Sequence, residues 1–263
     1  MRPARGVGAL AARSVANLRS WWPLIDKRRK SRSLGYPVPG WATPLLLALA
    51  LTAAALALDV AAAGLRGDWP PALYNAAWFT TYLGLAGWYL YPALLVLLSV
   101  NLADWHGGAR RRLLILYNRT SLAIFVLAAI GAPGLVTNLI KRFVGRPRPE
   151  FFDEHGAFGF DPFTLGPHFA SFPSGHATTI GSVAGILLLL FPRAWGAILA
   201  VAIWIAATRI IIGAHHPGDV VAGLAIGCLM AVGVGLLMAR LGYFFRQGPN
   251  GLPKIKQSAR ILW

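Results

Sequence analysis

Lys141 with Arg148-Pro149, Pro173-Ser174-Gly175-His176, and Arg209 with His215 and Asp219 are three short polar clusters in an otherwise apolar chain. Cations, imidazoles and a carboxylate are costly to keep near the ends of membrane spans, so three sets at adjacent span ends read as one site. Their chemistry is that of a phosphate. A phosphoryl group in transfer spreads negative charge over three oxygens, and its catalysis is mostly positioning plus stabilisation of that charge. Lys141, Arg148 and Arg209 offer the cations, Arg209 with a planar donor fork.

Each cluster also has a plainer reading. Lys141 and Arg148 fall two helical turns apart if the helix continues past Ile140, which would place them near one face. The run Arg146-Pro147-Arg148-Pro149 argues for extended chain instead. Pro173 to His176 precedes an apolar helix, where free N–H groups bind anions, Ser174 can cap or donate, and Gly175 lets a phosphate approach the backbone. For Ser174 and Gly175 alone, a well-capped helix is an equal explanation. His176 in that first turn can give a proton to a leaving oxygen.

His215 and Asp219 have the i,i+4 spacing of one helical face, and a carboxylate on one ring nitrogen leaves the other free to attack. Pro217 and Gly218 favour a turn, although Pro217 suits the first turn of a helix. His216, at i,i+3 from Asp219, is the rival nucleophile. His106, His155 and His168 read as solvated or capped residues.

Positioning these clusters falls to membrane helices. The 263 residues are 56% hydrophobic and 13% charged, with a mean hydropathy of +0.57. Apolar runs at Trp41–Ala63, Trp78–Ala103, Thr120–Ile140, His176–Phe191, Trp195–Ile212 and Val220–Leu241 approach the ~20 residues needed to cross a bilayer. The expectation is an all-α, six-helix membrane bundle, because backbone groups in lipid must satisfy one another within each segment. Its domain is residues 41–241, between a basic arm (1–40) and a basic tail (242–263). Pro92 and Pro133 lie inside two spans, where neighbouring helices tolerate them.

The net charge of +16 flanks the spans, so orientation accounts for it and nucleic acid is not an expected partner. The arm carries nine Lys or Arg against Asp26, together with Trp21-Trp22 and Lys27-Arg28-Arg29-Lys30. Arg13 and Arg19 break any signal-peptide core, leaving a cytoplasmic arm as the favoured reading. Arg110, Arg111, Arg112 and Arg119 follow span two, and Arg246, Lys254, Lys256 and Arg260 follow span six. These charges put both termini in the cytoplasm, and the segment with Arg66 and Asp68 outside. Lys141, Arg142, Arg146 and Arg148 then fall outside against the rule, which suits anion binding. The lone Cys228 permits no intramolecular disulfide.

Taken together, Lys141-x6-Arg148-Pro149, Pro173-Ser174-Gly175-His176 and Thr208-Arg209-x5-His215-x3-Asp219 resemble the three signature motifs of the type 2 phosphatidic acid phosphatase family, in order and internal spacing. Thr208 stands where the family usually has serine, and keeps the hydroxyl. The resemblance implies a six-helix membrane phosphatase that needs no metal or other cofactor. It implies that His215 becomes phosphorylated, Asp219 supports it, His176 protonates the leaving group, and Lys141, Arg148, Ser174, Gly175 and Arg209 hold the phosphate. Vanadium haloperoxidases share these motifs, but six spans argue against one.

A lipid phosphate in the inner membrane is the expected substrate, with phosphatidic acid, phosphatidylglycerophosphate, polyprenyl diphosphate and lipid A all open. Residues 151–172 hold seven of the thirteen phenylalanines, so this loop either borders a lipid entry or packs on itself. A transporter or a non-catalytic lipid-binding protein is the alternative from another class.

Overall fold

The computed structural model describes residues 7–31, 40–64, 67, 69–105, 109–164, 166–249 and 251–262. His106, Arg66, Asp68 and the end of the basic arm lie outside the described residues, as do the side chains of Trp21, Trp22 and Lys27 to Lys30. The helices are α1 (Val7–Ser31), α2 (Ala42–Ala57), α3 (Asp59–Gly64), α4 (Pro71–Thr80), α5 (Gly87–Asn101), α6 (Arg110–Val144), α7 (Phe152–His155), α8 (Gly175–Leu190), α9 (Trp195–Ile211) and α10 (Pro217–Leu241). Strands β1 (Phe245–Gln247) and β2 (Pro253–Ile255) follow them.

All six expected spans are helical over most of their length. The segments Pro71–Asn101, Arg110–His155, Pro192–Ile211 and Pro217–Leu241 are long and apolar enough to cross a membrane, while Ala42–Ala57 and Gly175–Leu190 are apolar but shorter. The protein is a multi-pass membrane protein. Two expected spans are not continuous. The first breaks at Leu58, between α2 and α3, and the second passes through a 3-10 turn, Thr81–Gly84, to an extended Leu85 before α5. Both breaks deliver polar side chains to the site described below. The third begins earlier than expected, at Arg110, since long arginine side chains can lie along a helix and carry their charge to the interface. Pro92 and Pro133 both sit within helices.

The chain divides into two compact units, one of Met1–Pro39, Leu90–Leu127 and Val234–Trp263, the other of Gly40–Tyr89 and Ala128–Gly233. Within the first, Asn17 Nδ2 of α1 donates to Asn101 O at 2.6 Å and to Ala103 O at 3.2 Å. The tail departs from an all-helical fold. β1 and β2 pair antiparallel, with Arg246 opposite Lys254. Phe244 and Phe245 are fully buried, and Phe125 meets Phe245 edge to face at 5.0 Å. Those two aromatic residues stand in a segment that its charge alone marks as a solvated tail.

The second unit is built round α8, which is buried along most of Ala177–Ile186. Ile180 and Ala184 pack on Ala202 and Ile205 of α9, and Ala177 on Ala206 and Val220. Glycines set the distance to α10. A Cβ at Gly223 would stand 2.5 Å from Ser174 O, and one at Gly227 2.1 Å from Thr178 O, so the helices can touch backbone to backbone. Thr137 of α6 shares a 2.9 Å hydrogen bond with Thr178.

Candidate active site

The second unit contains every residue marked out by the three motifs. Helix α6 ends at Val144, and Gly145 turns the chain at φ +55°, where a Cβ would collide with Asp161 O. Residues 146–148 then run extended beside 168–171: Arg148 N donates to His168 O and Ser171 N to Arg146 O, each at 3.0 Å. The shared helical face expected for Lys141 and Arg148 therefore does not exist. The helix ends first, at the Gly145 turn ahead of the prolines, and the two cations approach from helix and loop. Lys141 Nζ donates to Ala170 O at 2.6 Å and Ser171 O at 3.2 Å, and Arg148 Nε donates to Pro167 O at 3.1 Å.

Ser174 is the N-cap of α8. Its hydroxyl accepts from Ala177 N at 3.4 Å, and its own N–H donates to Asp219 O at 2.9 Å. Capping is thus what this buried side chain does here. Gly175 opens the helix with nothing within 4 Å of where a Cβ would be, leaving space at the helix start. His176 packs against Gly84 of the 3-10 turn, where a Cβ would be 2.8 Å from its Cδ2.

Helix α9 closes at Gly213, whose φ of +71° turns the chain so that Ala214 N and His215 N both donate to Arg209 O. Pro217 does open α10, which leaves His215 outside that helix. A turn, rather than a common helical face, brings His215 to Asp219: Nδ1 lies 3.5 Å from Oδ2. Ser171 Oγ donates to the same oxygen at 2.5 Å and stands 3.4 Å from His215 Nδ1. His216 instead gives its backbone N–H to Asp219 Oδ2 at 3.0 Å, while its ring sits against the Pro147 carbonyl. Of the two rivals, it is the His215 ring that meets the Asp219 carboxylate. Burial pushes the His215 imidazole down to about 4, against the upward pull of its hydrogen bond to Asp219, so the ring is neutral at pH 7. Burial also lowers His216.

Arg209, 9% exposed, donates through one terminal nitrogen to Thr81 Oγ1 at 2.9 Å, and its Nε finds no partner among the described residues. Thr208 turns its hydroxyl to Ile205 O within its own helix. A cavity of about 330 Å³ is lined by Arg148, Glu150, His176 and Arg209 on one part of its wall and by Trp78, Tyr82 and Leu85 on another. His215 does not line it. It borders a smaller space with Pro149, Ile210 and Gly213, and Gly213 belongs to both walls. Lys141, Ser174 and Gly175 are also off the larger wall, but His176 lies in the electrostatic field of Arg209, His215, Lys141 and Arg148. Among the described residues no three His, Cys, Asp or Glu side chains are grouped to hold a metal.

Four residues of the cluster were not singled out by sequence reasoning. Asp59, a carboxylate inside an apolar run, carried the signal of an intramembrane charge. Arg146 was visible only as one of a run of cations. Ser171 and Thr81 had no signal, since a hydroxyl near a span end is commonplace.

A helical, multi-pass membrane protein whose span ends gather arginines, a lysine and a carboxylate-held imidazole is the class these features define. Residues 122–243 match the PAP2 superfamily. Most of the chain is similar to the lipid A 1-phosphatase of Rhizobium johnstonii, with 34% identity over 251 residues, 92% of this chain and 99% of that one. A lipid A 1-phosphatase of Rhizobium etli is 42% identical over 136 residues, covering 52% of this chain and 59% of its own length. The chain belongs to the PAP2 superfamily, as its three motifs imply. A crystal structure of a transmembrane PAP2 type phosphatidylglycerolphosphate phosphatase from Bacillus subtilis covers 73% of this chain and 92% of its own, with TM-score 0.49 and 22% identity.

Proposed function

We propose that this protein is a metal-independent phosphatase of a membrane lipid, acting through a phosphohistidine at His215 on the outer side of the inner membrane. The observation that carries the reading is a buried, neutral His215 held against Asp219 in the unit that also holds Arg148, Arg209 and His176. In the first step a ring nitrogen of His215 attacks phosphorus and the bond to the lipid oxygen breaks. His176, charged when the phosphate dianion lies beside it, gives that oxygen its proton and is left neutral. Water then attacks the phosphohistidine and loses its proton to His176, which breaks the N–P bond, releases inorganic phosphate, and returns His215 to the neutral imidazole and His176 to the imidazolium. Arg148, Arg209 and Lys141, with the N–H groups at the start of α8, stabilise the equatorial oxygens.

The first candidate substrate is the 1-phosphate of lipid A, on the strength of the full-length similarity. The cavity wall supports a sugar-bearing headgroup, since Trp78 and Tyr82 offer flat apolar faces and Glu150 an acceptor for hydroxyls. Basic flanks support the outward orientation, with the arm and tail inside and residues 141–172 outside.

The test is phosphate release by the purified protein from lipid A, phosphatidic acid, phosphatidylglycerophosphate and polyprenyl diphosphate, with excess chelator present. Release should persist with chelator, be fastest with lipid A, and stop with vanadate, whose five-coordinate form engages the same donors. Activity lost on chelation and restored by magnesium would defeat the metal-free mechanism.

A further inference from the structure

We propose that Asp59 and Arg146 are positioning residues for the nucleophile, joined to Asp219 in a buried carboxylate–guanidinium–carboxylate chain that fixes the Asp219 carboxylate and, through it, the His215 ring. The inference rests on the phosphohistidine reading. Arg146 places one terminal nitrogen 2.7 Å from Asp219 Oδ1 and the other 2.6 Å from Asp59 Oδ2. Its Nε donates to Ala157 O at 3.0 Å, and the Phe158 ring lies 5.1 Å from its Cζ. The three charged side chains are 0% to 1% exposed.

Burial of this kind separates Arg146 from the phosphate-binding cations. All three of its nitrogens are engaged by protein acceptors, whereas Arg209 keeps an unpartnered Nε and both Arg148 and Arg209 line the cavity. What Arg146 holds is the half of Asp219 that faces away from the histidine. Oδ2 meets His215 Nδ1, Ser171 Oγ and His216 N–H, and the guanidinium on Oδ1 stops the carboxylate from turning about its own axis. Asp59 in turn holds the far end of the guanidinium. Its other oxygen accepts Gly218 N–H at 2.7 Å, so the same carboxylate supports the first turn of α10, from which Asp219 projects. Removing Asp59 or Arg146 alone changes the buried charge, while removing both leaves the net buried charge as it was, with Asp219 still met by Ser171 Oγ, His216 N–H and the His215 ring.

The experiment compares the parent with Asp59→Asn/Arg146→Gln, which neutralises both partners together, and with Arg146→Lys, which keeps the charge but lacks the planar fork that sets one nitrogen on each carboxylate. Folding is checked by thermal melting in detergent. In the folded double variant kcat should fall by about 10- to 100-fold, the scale of a misplaced reacting group, with KM within about twofold. Arg146→Lys should fall between it and the parent. A second readout needs no turnover: ¹⁵N-histidine spectra should show His215 as the Nδ1–H tautomer in the parent and as a mixture in the double variant. If the parent released no phosphate, the proposed activity would fail while the tautomer still tested the positioning. A folded double variant with parental kcat, or with an unchanged His215 tautomer, overturns the inference.

Discussion

Two adjacent imidazoles compete for one carboxylate at this site, and their atoms settle which is oriented. His215 turns a ring nitrogen toward Asp219 whereas His216 offers only its backbone N–H, so His215→Ala should abolish phosphate release and His216→Ala should not. A phosphoprotein trapped at low temperature should carry its label on His215; label on His216 would reverse the assignment. The sign of the pH dependence follows from burial. Because His215 is held down to about 4, its unreactive imidazolium accumulates only well below the ordinary imidazole range near 6.5. Labelling should therefore persist at pH 5.5, and a loss with midpoint near 6.5 would contradict the buried state. Arg209→Ala should lower turnover by about 10²-fold, as when a transition-state donor is removed, and lysine should recover part of that because it lacks the planar fork. At this scale the chain was readable wherever a residue type is rare in an apolar setting, as for His176 or Arg209. Ser171 and Thr81 escaped because their importance lies only in what they touch, Asp219 and Arg209.

Helix breaks and close crossings do the positioning. The 3-10 turn at Thr81–Gly84 supplies a hydroxyl to Arg209 and a bare glycine to His176, and the break at Leu58 brings in Asp59. Hydropathy reads both segments as continuous spans, because an interruption within an apolar run changes hydrogen bonding and leaves composition unaltered. The α8–α10 crossing is equally specific. Gly227→Val should force these helices apart at Thr178 and, by overpacking, destabilise the protein by about 1–3 kcal/mol. Melting in detergent measures the cost, and activity should fall with it, since Ser174 N–H and Asp219 O pair across the same contact. Parental melting would show that the crossing can relax. The spacing of the motifs was legible without this geometry. The helical-face arguments for Lys141–Arg148 and His215–Asp219 do not hold, because α6 ends at Val144 with the Gly145 turn ahead of Pro147, and Pro217 begins α10 only after His215.

Orientation in the bilayer belongs to the whole molecule, and charge distribution makes it testable. In a Cys228→Ala background, a cysteine at Glu154, which is 73% exposed, should react with a membrane-impermeant thiol reagent in intact spheroplasts. One at Lys254 should react only after permeabilisation. The opposite pattern would turn the site inward and remove outer-leaflet lipids from its reach. The tail bears a consequence for biosynthesis. Asn118 Nδ2 reaches Ser258 O at 2.8 Å, and Phe125 needs Phe245 to cover it, so the first unit cannot close until translation has passed residue 258. The residues that build the site, from Asp59 to Asp219, have all been added to the chain by then. The unit that holds the candidate site is thus synthesised in full, to Gly233, before the segment that closes its sister unit.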